Sequence, residues 1–214
     1  MGNIRFRLAK PCDAKKIARC HWHVRDRYTQ GIFLSLGERF LRSYYKVILN
    51  DPYEIVTCAE REDGTIVGFS SATLDAKKQA ENLKNHKFYL GFAAVGAILL
   101  RPSLLKAVWS RYKSLDSNSD VPHFVHGEGA RGEYWCWLKD DEDALMSAEL
   151  DKTNIKIAYT LGADDIYFEV DKFNKAVYNY HLKVNKAEPL EEIVLPDGRE
   201  RVLFRHNKQS FIKY

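Results

Sequence analysis

The sequence predicts an α+β fold built on a mixed, mostly antiparallel sheet, and three observations predict it. Residues 4–8 alternate apolar and charged side chains, which is typical of a half-buried strand. Two strand-like segments flank Asp63 and Gly64, a turn pair that favours an antiparallel hairpin. A strand, a helix and a strand follow one another over residues 133–170, and a crossover of this kind joins two parallel strands.

Length and composition favour a single domain spanning residues 1–214. The chain has 214 residues, of which 45% are hydrophobic and 29% charged, and this suits one globular core. The net charge of +4 is too small to predict nucleic-acid binding. The longest uncharged run, residues 88–100, is shorter than the ~20 residues that cross a bilayer, so no transmembrane segment is expected. Four cysteines without a C-x-x-C pair, and an N-terminus without a secretory signal, predict a cytoplasmic protein.

The N-terminal half predicts two helices between the first strand and the hairpin. The first runs from Pro11 to about Arg27, with Asp13 as its N-cap. The second runs from about Ser35 to Leu49 and carries an apolar stripe at a spacing of four residues. The members of the stripe are Leu36, Phe40, Tyr44 and Ile48. The hairpin strands follow at 54–60 and 65–72.

A long helical insertion is predicted between the third and fourth strands, over about residues 75–117. Pro102 interrupts it, because proline can start a helix but cannot continue one. The later part, from Arg101 to Lys113, carries cations and no acid. Such a stretch is usually the solvated face of a helix, and binding to nucleic acid or to an acidic membrane surface is the alternative.

The C-terminal half supplies the crossover and a last hairpin. The predicted elements are a loop over 116–132, a strand over 133–138, a helix over 144–161, a strand over 165–170, a helix over 174–184 and two strands around 196–198. Gly162 follows the crossover helix at the position where glycine commonly ends one.

This order of elements resembles that of the GCN5-related N-acetyltransferase (GNAT) superfamily. Gly162, Glu169 with Val170, and Asn174 fall at the family's spacing for the end of the crossover helix, the fifth strand and the start of the next helix. The segment 33–41 resembles the acceptor-side helix of members found with surface-polysaccharide genes. The resemblance implies helices on both faces of the sheet. It also implies transfer of an acetyl or related acyl group from acetyl-CoA or another acyl-CoA to a small-molecule amine, with an amino sugar as one candidate acceptor.

The resemblance further implies where the donor would bind. The implied residues are Trp135, Trp137 and Leu138 on the fourth strand, Ala144, Met146 and Ser147 at the phosphate loop, and Asn174, which would hold the donor arm. The chain departs from the family at this loop, because the family's glycines are missing and residues 140–143 are all acidic. Such a degenerate loop should repel a pyrophosphate. Acidic residues are also ordinary in the first turn of a helix.

Two residues are candidates for the acid that protonates the departing thiolate. The position of the family's catalytic tyrosine, seven residues after Asn174, holds His181, and Tyr180 lies beside it. Imidazole can transfer protons near neutral pH, since its ordinary pKa is about 6.5. The helical spacing of Val177, Tyr180, His181 and Val184 also suits a histidine buried in the core. Both roles for His181 stay open.

Two other functions compete with a conventional enzyme. The acidic loop favours a non-catalytic binding or regulatory protein that keeps the fold, because a fold does not fix a function. An acyltransferase could instead take its acyl group from a carrier protein, with Arg101 to Lys113 as the docking face. The sequence does not decide between a monomer and a homodimer. It contains no set of four ligand residues at the spacing of a metal site, so no metal site is predicted.

Two further patterns are expected to carry no site. Residues 127–132 match G-x-G-x-x-G, but they follow a loop and precede a strand, so a flexible loop is expected and not a dinucleotide site. His21 and His23 point to different sides of a helix. They are expected at the surface or in the acceptor cleft.

Overall fold

The computed structural model describes residues 4–27, 32–113, 127–138, 144–194 and 198–212. The strands are Ile4–Leu8 (β1), Glu54–Arg61 (β2), Ile66–Thr73 (β3), Ala130–Trp137 (β4), Asp165–Asp171 (β5), Glu188–Val194 (β6) and Glu200–Asn207 (β7). The helices in these ranges are Ala14–His23 (α1), Ile32–Ser35 (α2), Gly37–Ile48 (α3), Ala76–Asn85 (α4), Lys87–Leu100 (α5), Leu104–Lys113 (α6), Ala144–Thr160 (α7), Lys175–Asn179 (α8) and Lys208–Ile212 (α9). A 3-10 turn, Pro11–Asp13, precedes α1, and a π-helical turn, Tyr180–Val184, follows α8.

The strands form one seven-stranded sheet in the order β1-β2-β3-β4-β5-β7-β6. Every neighbouring pair is antiparallel except β4 and β5, which are parallel and joined by the crossover helix α7. The predicted α+β class, the mostly antiparallel sheet and the parallel crossover are therefore confirmed. The helical insertion α4 to α6 lies between β3 and β4, as predicted.

Helices cover both faces of the sheet, which the alternation along β3 shows directly. The ring of Phe69 lies 5.8 Å from His21 of α1 and 5.5 Å from Tyr45 of α3. The next residue, Ser70, points to the opposite face and donates a hydrogen bond to Asp151 of α7. We call the face under α1 and α3 the first face, and the face under α7 and α8 the second face.

The largest core cluster lies on the first face, between the sheet and α1, α3 and α5. Its centre contains Ile17, Leu41, Tyr45 and Phe69, each almost fully removed from water. The helices form where the sequence spaces apolar residues at three and four positions, so that one stripe of each helix meets the sheet. Three smaller clusters fill the second face under α7 and α8.

Helix boundaries differ from the predicted ones in the N-terminal half. The predicted helix over 35–49 is divided at Gly37, whose φ of +86° suits glycine and interrupts the helical path. The first helix ends at His23 and not near Arg27. Asp13 stands at the N-cap position, but its carboxylate accepts hydrogen bonds from Arg7 and from the N–H of Lys10 and does not cap the helix.

Two boundaries also differ in the C-terminal half. β4 begins at Ala130, so the last three residues of the G-x-G-x-x-G match lie in a strand, and the expectation of a flexible loop is wrong for them. The helix after Asn174 ends in a π-helical turn, which holds an extra residue per turn and shifts the residues that follow. Val184, expected on the buried side, is therefore 54% exposed.

Candidate functional site

The parallel strands β4 and β5 separate after a short common ladder. Only Ala130 with Ile166 and Arg131 with Tyr167 are in register. Beyond them β4 continues to pair with β3 as far as Trp137, while β5 pairs with β7. Among the described residues, the β5 side of β4 has no ladder partner after Arg131. Over the described residues, β4 and β5 therefore diverge along the rest of β4.

Three predicted site residues meet beside this divergence, on the second face. The Nε1–H of Trp135 lies 3.1 Å from both the carbonyl oxygen and the hydroxyl of Ser147 on α7. The ring of Trp135 lies 4.9 Å from that of Tyr180, whose hydroxyl donates to the carbonyl oxygen of Ala148 at 3.1 Å. Trp135 thus bridges the beginning of α7 and the π-helical turn. We call Trp135, Ser147 and Tyr180 the Trp135 bridge.

Three ionisable groups near this bridge are buried and form no ion pair with any residue that the structure describes. His181 and His206 are buried with their facing ring nitrogens 3.4 Å apart, and burial lowers their pKa values to about 3 and about 4. Asp151 is buried under β3, and burial raises its pKa to about 7, partly opposed by the hydrogen bond from Ser70. We call Asp151, His181 and His206 the neutral cluster, since burial favours the uncharged form of each.

Ion pairs lie on the first face beside the divergence, in a group that we call the charged cluster. Arg131 forms an ion pair of 2.7 Å with Glu133, and both side chains are nearly buried. Arg201 of β7 contacts Glu169 of β5 at 3.1 Å. Arg131 also donates to the side chain of Gln79 in the insertion at 2.7 Å. These residues place carboxylates and guanidinium groups on the side of the divergence opposite the Trp135 bridge.

Solved structures that share this fold include acetyltransferases. The chain matches a spermidine N-acetyltransferase chimera from Vibrio cholerae with a TM-score of 0.60 and 10% identity, over 99% of each chain. It matches an aminoglycoside acetyltransferase, solved with coenzyme A and kanamycin, with a TM-score of 0.59 and 9% identity, over 99% of this chain and 98% of the other. A putative acetyltransferase from Acinetobacter baylyi gives 0.58 and 13%, over 97% and 93%. The chain has the GNAT fold.

The sequences are far less similar than the folds. No protein-family profile matches this sequence, and no curated protein sequence matches it. The GNAT fold is therefore visible in the order and pairing of the strands and not in overall sequence similarity. No helix in the described ranges is both long and apolar enough to cross a membrane. Within the same ranges, no group of three His, Cys, Asp or Glu side chains is placed to hold a metal ion.

The two candidate acids lie side by side in this GNAT fold but in different surroundings. His181 is 6% exposed, and its ring packs 4.4 Å from Phe168. Its low pKa leaves the imidazole neutral at pH 7. Tyr180 is half-buried, and burial together with the nearby Asp151 raises the pKa of its phenol. A phenol that keeps its proton at neutral pH can donate it to a departing thiolate, whereas the buried imidazole carries no extra proton to give.

The other predicted donor residues are spread along the fold. Trp137 and Leu138 pack with Leu150 and Val67 toward the first three strands, away from β5. Asn174 caps α8, where its side-chain oxygen accepts the N–H of Val177 at 3.3 Å. Of the phosphate-loop residues, Ala144 begins α7, and Met146 and Ser147 are half-buried in its first turn. The acidic residues 140–143 lie outside the described residues.

The remaining histidines divide between the core and the surface. His21, expected at the surface or in a cleft, is buried instead, and its Nδ1 lies 2.8 Å from the hydroxyl of Tyr45. Burial lowers its pKa to about 4. His23 is exposed, as expected.

A cavity of about 350 Å³ lies at the N-terminal ends of β4 and β5, and none of the predicted site residues lines it.

Sequence reasoning missed Asp151 and the charged cluster. A β-bulge after Ser71 places both Glu133 and Tyr134 on the first face, which strict alternation along the strand does not predict. Asp151 lies in a helix without a clear apolar stripe. Its hydrogen-bond donor, Ser70, is 81 residues away in the sequence. No local pattern signals either feature.

Proposed function

We propose that this protein is a GNAT-type acyltransferase that moves an acetyl or related acyl group from a coenzyme A thioester to an amine, with an amino sugar as the candidate acceptor. One observation carries the proposal. In the described residues β4 has no ladder with β5 after Arg131, and beside this divergence lies Tyr180, whose phenol has a raised pKa, with carboxylates on the other face. The fold shared with acetyltransferases of known structure supports the same chemistry.

The residues suit a direct transfer from the thioester. The backbone N–H groups of β4 beyond Arg131 can orient the donor arm and polarise the thioester carbonyl. The amine nitrogen then forms a bond to the carbonyl carbon while the carbon–sulfur bond breaks. Tyr180 gives its proton to the sulfur. The proton lost by the amine passes to a carboxylate of the first face, for which Glu133 is the candidate, or to water.

The first face also suits a polar, ring-shaped acceptor. Tyr134 is half-buried among the rings of His21, Phe33 and Tyr44, at centroid distances between 4.8 and 6.4 Å. The exposed part of the Tyr134 ring, beside the Arg131–Glu133 pair, would offer a sugar ring an apolar contact and hydrogen-bond partners. The bulge puts both Glu133 and Tyr134 on the first face, where we expect them to meet the same acceptor.

Calorimetry with acetyl-CoA and a thiol-release assay with amino sugars test the proposal. We expect the wild type to bind acetyl-CoA and to release thiol when an amine acceptor is present. Tyr180→Phe should keep donor affinity and lose about 10²-fold or more in kcat, because it removes only the proton donor. Tyr178→Phe is the matched control, since Tyr178 packs against Phe204 and should retain activity. Full activity in Tyr180→Phe would eliminate this residue as the acid.

A non-catalytic role is the second candidate, and the Trp135 bridge favours it. The indole joins α7 to the π-helical turn across the passage that a donor arm would use. If this blockage is permanent, the wild type gives no heat with millimolar acetyl-CoA, and Trp135→Ala gains binding. If the indole moves aside or forms part of the donor site, the wild type binds and Trp135→Ala binds equally or less well. The two results separate a lost donor site from a working one.

A further inference from the structure

Helix α5 is apolar on both of its sides. Its 14 residues contain no charge after Lys87, and one side packs against α3 through Leu90, Ala94 and Ile98. The other side is exposed, with Phe88, Phe92, Val95 and Leu99 exposed by 82%, 74%, 44% and 76%. Their spacing of four, three and four residues makes one continuous stripe. A helix that is apolar all round is normally covered on every side, so this stripe calls for an occupant.

Helix α6 extends the same apolar region. Leu100 at the end of α5 is 85% exposed, and Leu105 and Trp109 of α6 are each 58% exposed. Leu105 and Trp109 are one helical turn apart, so they share a side of α6. We call these three residues and the α5 stripe the insertion surface. Single exposed apolar residues are ordinary, but seven of them on two successive helices, over residues 88–109, mark an interaction site.

The charge around the insertion surface has one sign. From residue 82 to residue 115 the sequence has no Asp or Glu, and its cations are Lys84, Lys87, Arg101, Lys106, Arg111 and Lys113. Lys87 and Arg101 stand at the two ends of α5 and are exposed, and Lys106 is exposed on α6. Cations therefore flank the apolar stripe at both ends, a pattern that complements an anionic surface.

We propose that the insertion surface docks the protein onto a membrane that contains anionic phospholipid. Aromatic and aliphatic side chains on one side of a helix enter the boundary between headgroups and acyl chains, and flanking Lys and Arg bind phosphate groups. Helix α5 is about 21 Å long, less than the ~30 Å of a hydrocarbon core, so it lies on the membrane and does not span it. Docking holds the insertion and the first face of the sheet toward the lipid.

The same charges argue against a second copy of this chain as the occupant. A two-fold dimer places the same surface of each protomer against itself. The cations of the insertion surface would then face like charges with no acid from this segment between them. An anionic lipid surface supplies the missing charge over the whole area.

Vesicle co-sedimentation of the full chain tests the proposal. We expect the wild type to bind vesicles of phosphatidylcholine with phosphatidylglycerol, and to bind phosphatidylcholine alone at least about tenfold more weakly. Raising the salt from about 0.1 M to about 0.5 M should weaken the binding, because it screens the cations. Phe92→Ser with Leu99→Ser should reduce binding at least about tenfold, because it removes two inserted side chains. Arg101→Glu with Lys106→Glu should abolish the preference for anionic vesicles.

A matched variant controls for the loss of exposed apolar side chains in general. Phe173→Ser with Val194→Ser removes two side chains of comparable exposure, 77% and 66%, far from the insertion in sequence. This variant should bind vesicles as the wild type does, and all variants should keep the wild-type circular dichroism spectrum. Failure of the wild type to bind anionic vesicles would overturn the proposal. So would a concentration-dependent dimer, seen by sedimentation velocity, that Phe92→Ser with Leu99→Ser dissociates, because the occupant would then be a second copy. Neither result bears on the acyltransferase activity, which is measured in solution.

Discussion

The charged cluster and the neutral cluster lie on opposite faces of the same sheet, and only the charged cluster contains ion pairs. On the first face, Arg131 and Glu133 are nearly buried and form an ion pair of 2.7 Å. Burial opposes the charge of Arg131, but Glu133 raises the pKa of Arg131 above its ordinary value. On the second face, Asp151 and His181 are equally buried but have no ion-pair partner among the described residues, and burial moves their pKa values toward the neutral form. Burial alone therefore does not decide the charge of a group. The presence of a counter-charge within hydrogen-bond distance decides it.

The largest expected effect comes from breaking the pair in the charged cluster. Arg131→Leu leaves the carboxylate of Glu133 buried without its partner, so we expect the free energy of unfolding to fall by about 3–5 kcal/mol in urea titrations. The double variant Arg131→Leu with Glu133→Leu should recover most of this loss, because it leaves no unpaired charge. A double variant as unstable as the single one would show that packing, and not the pair, stabilises this face.

Acid should act mainly through the buried histidines. His206 has a folded-state pKa of about 4, below its ordinary 6.5, so its contribution to stability is complete above pH 6.5 and is lost as pH falls toward 4. His206→Phe removes this dependence and keeps a ring against Phe168, which lies 4.8 Å away. We expect the variant to lose about 1–3 kcal/mol less stability than the wild type between pH 7 and pH 4.5, measured by thermal unfolding. His23→Gln, at an exposed site, should follow the wild-type curve.

A rise in pH from 5 to 8 should destabilise the protein through Asp151, whereas the histidines destabilise it as pH falls. The folded-state pKa of Asp151, about 7, lies above its ordinary value, so its contribution to stability is complete below about pH 4 and is lost as pH rises to about 7. Asp151→Asn cannot ionise. Between pH 5 and pH 8 its free energy of unfolding should therefore rise by about 1–2 kcal/mol relative to that of the wild type. An unchanged difference between the two proteins across this range would show that Asp151 is ionised throughout.

Sequence patterns predicted the elements that depend on neighbours in the chain. The Asp63-Gly64 turn, the break at Pro102 and the crossover helix are where local spacing placed them. The apolar stripe of the second helix did not reveal the break at Gly37, because Leu36 and Phe40 are both buried on either side of it. His21 is buried against Tyr45 of another helix, 24 residues away in the sequence. A pattern of neighbouring residues cannot predict such a contact.

The site was predictable only in part for the same reason. The resemblance to the GNAT family placed Trp135, Ser147 and Tyr180 near one another, and the structure brings them together. It could not place the Arg131–Glu133 pair, because a bulge that depends on pairing with β3 turns Glu133 toward the first face. The roles of all the predicted site residues in the reaction stay predictions, including those of Tyr180, His181 and Asn174.

The short ladder between β4 and β5 also gives the sheet a line along which it can bend. It has two register pairs, whereas each of the other ladders has between five and seven. A change of twist between the four N-terminal strands and the three C-terminal strands disturbs fewer backbone hydrogen bonds here than at any other strand boundary. Bending at this boundary would leave the pairing within each half of the sheet unchanged. The boundary therefore divides the sheet into two units, each of which holds its own strands by longer ladders.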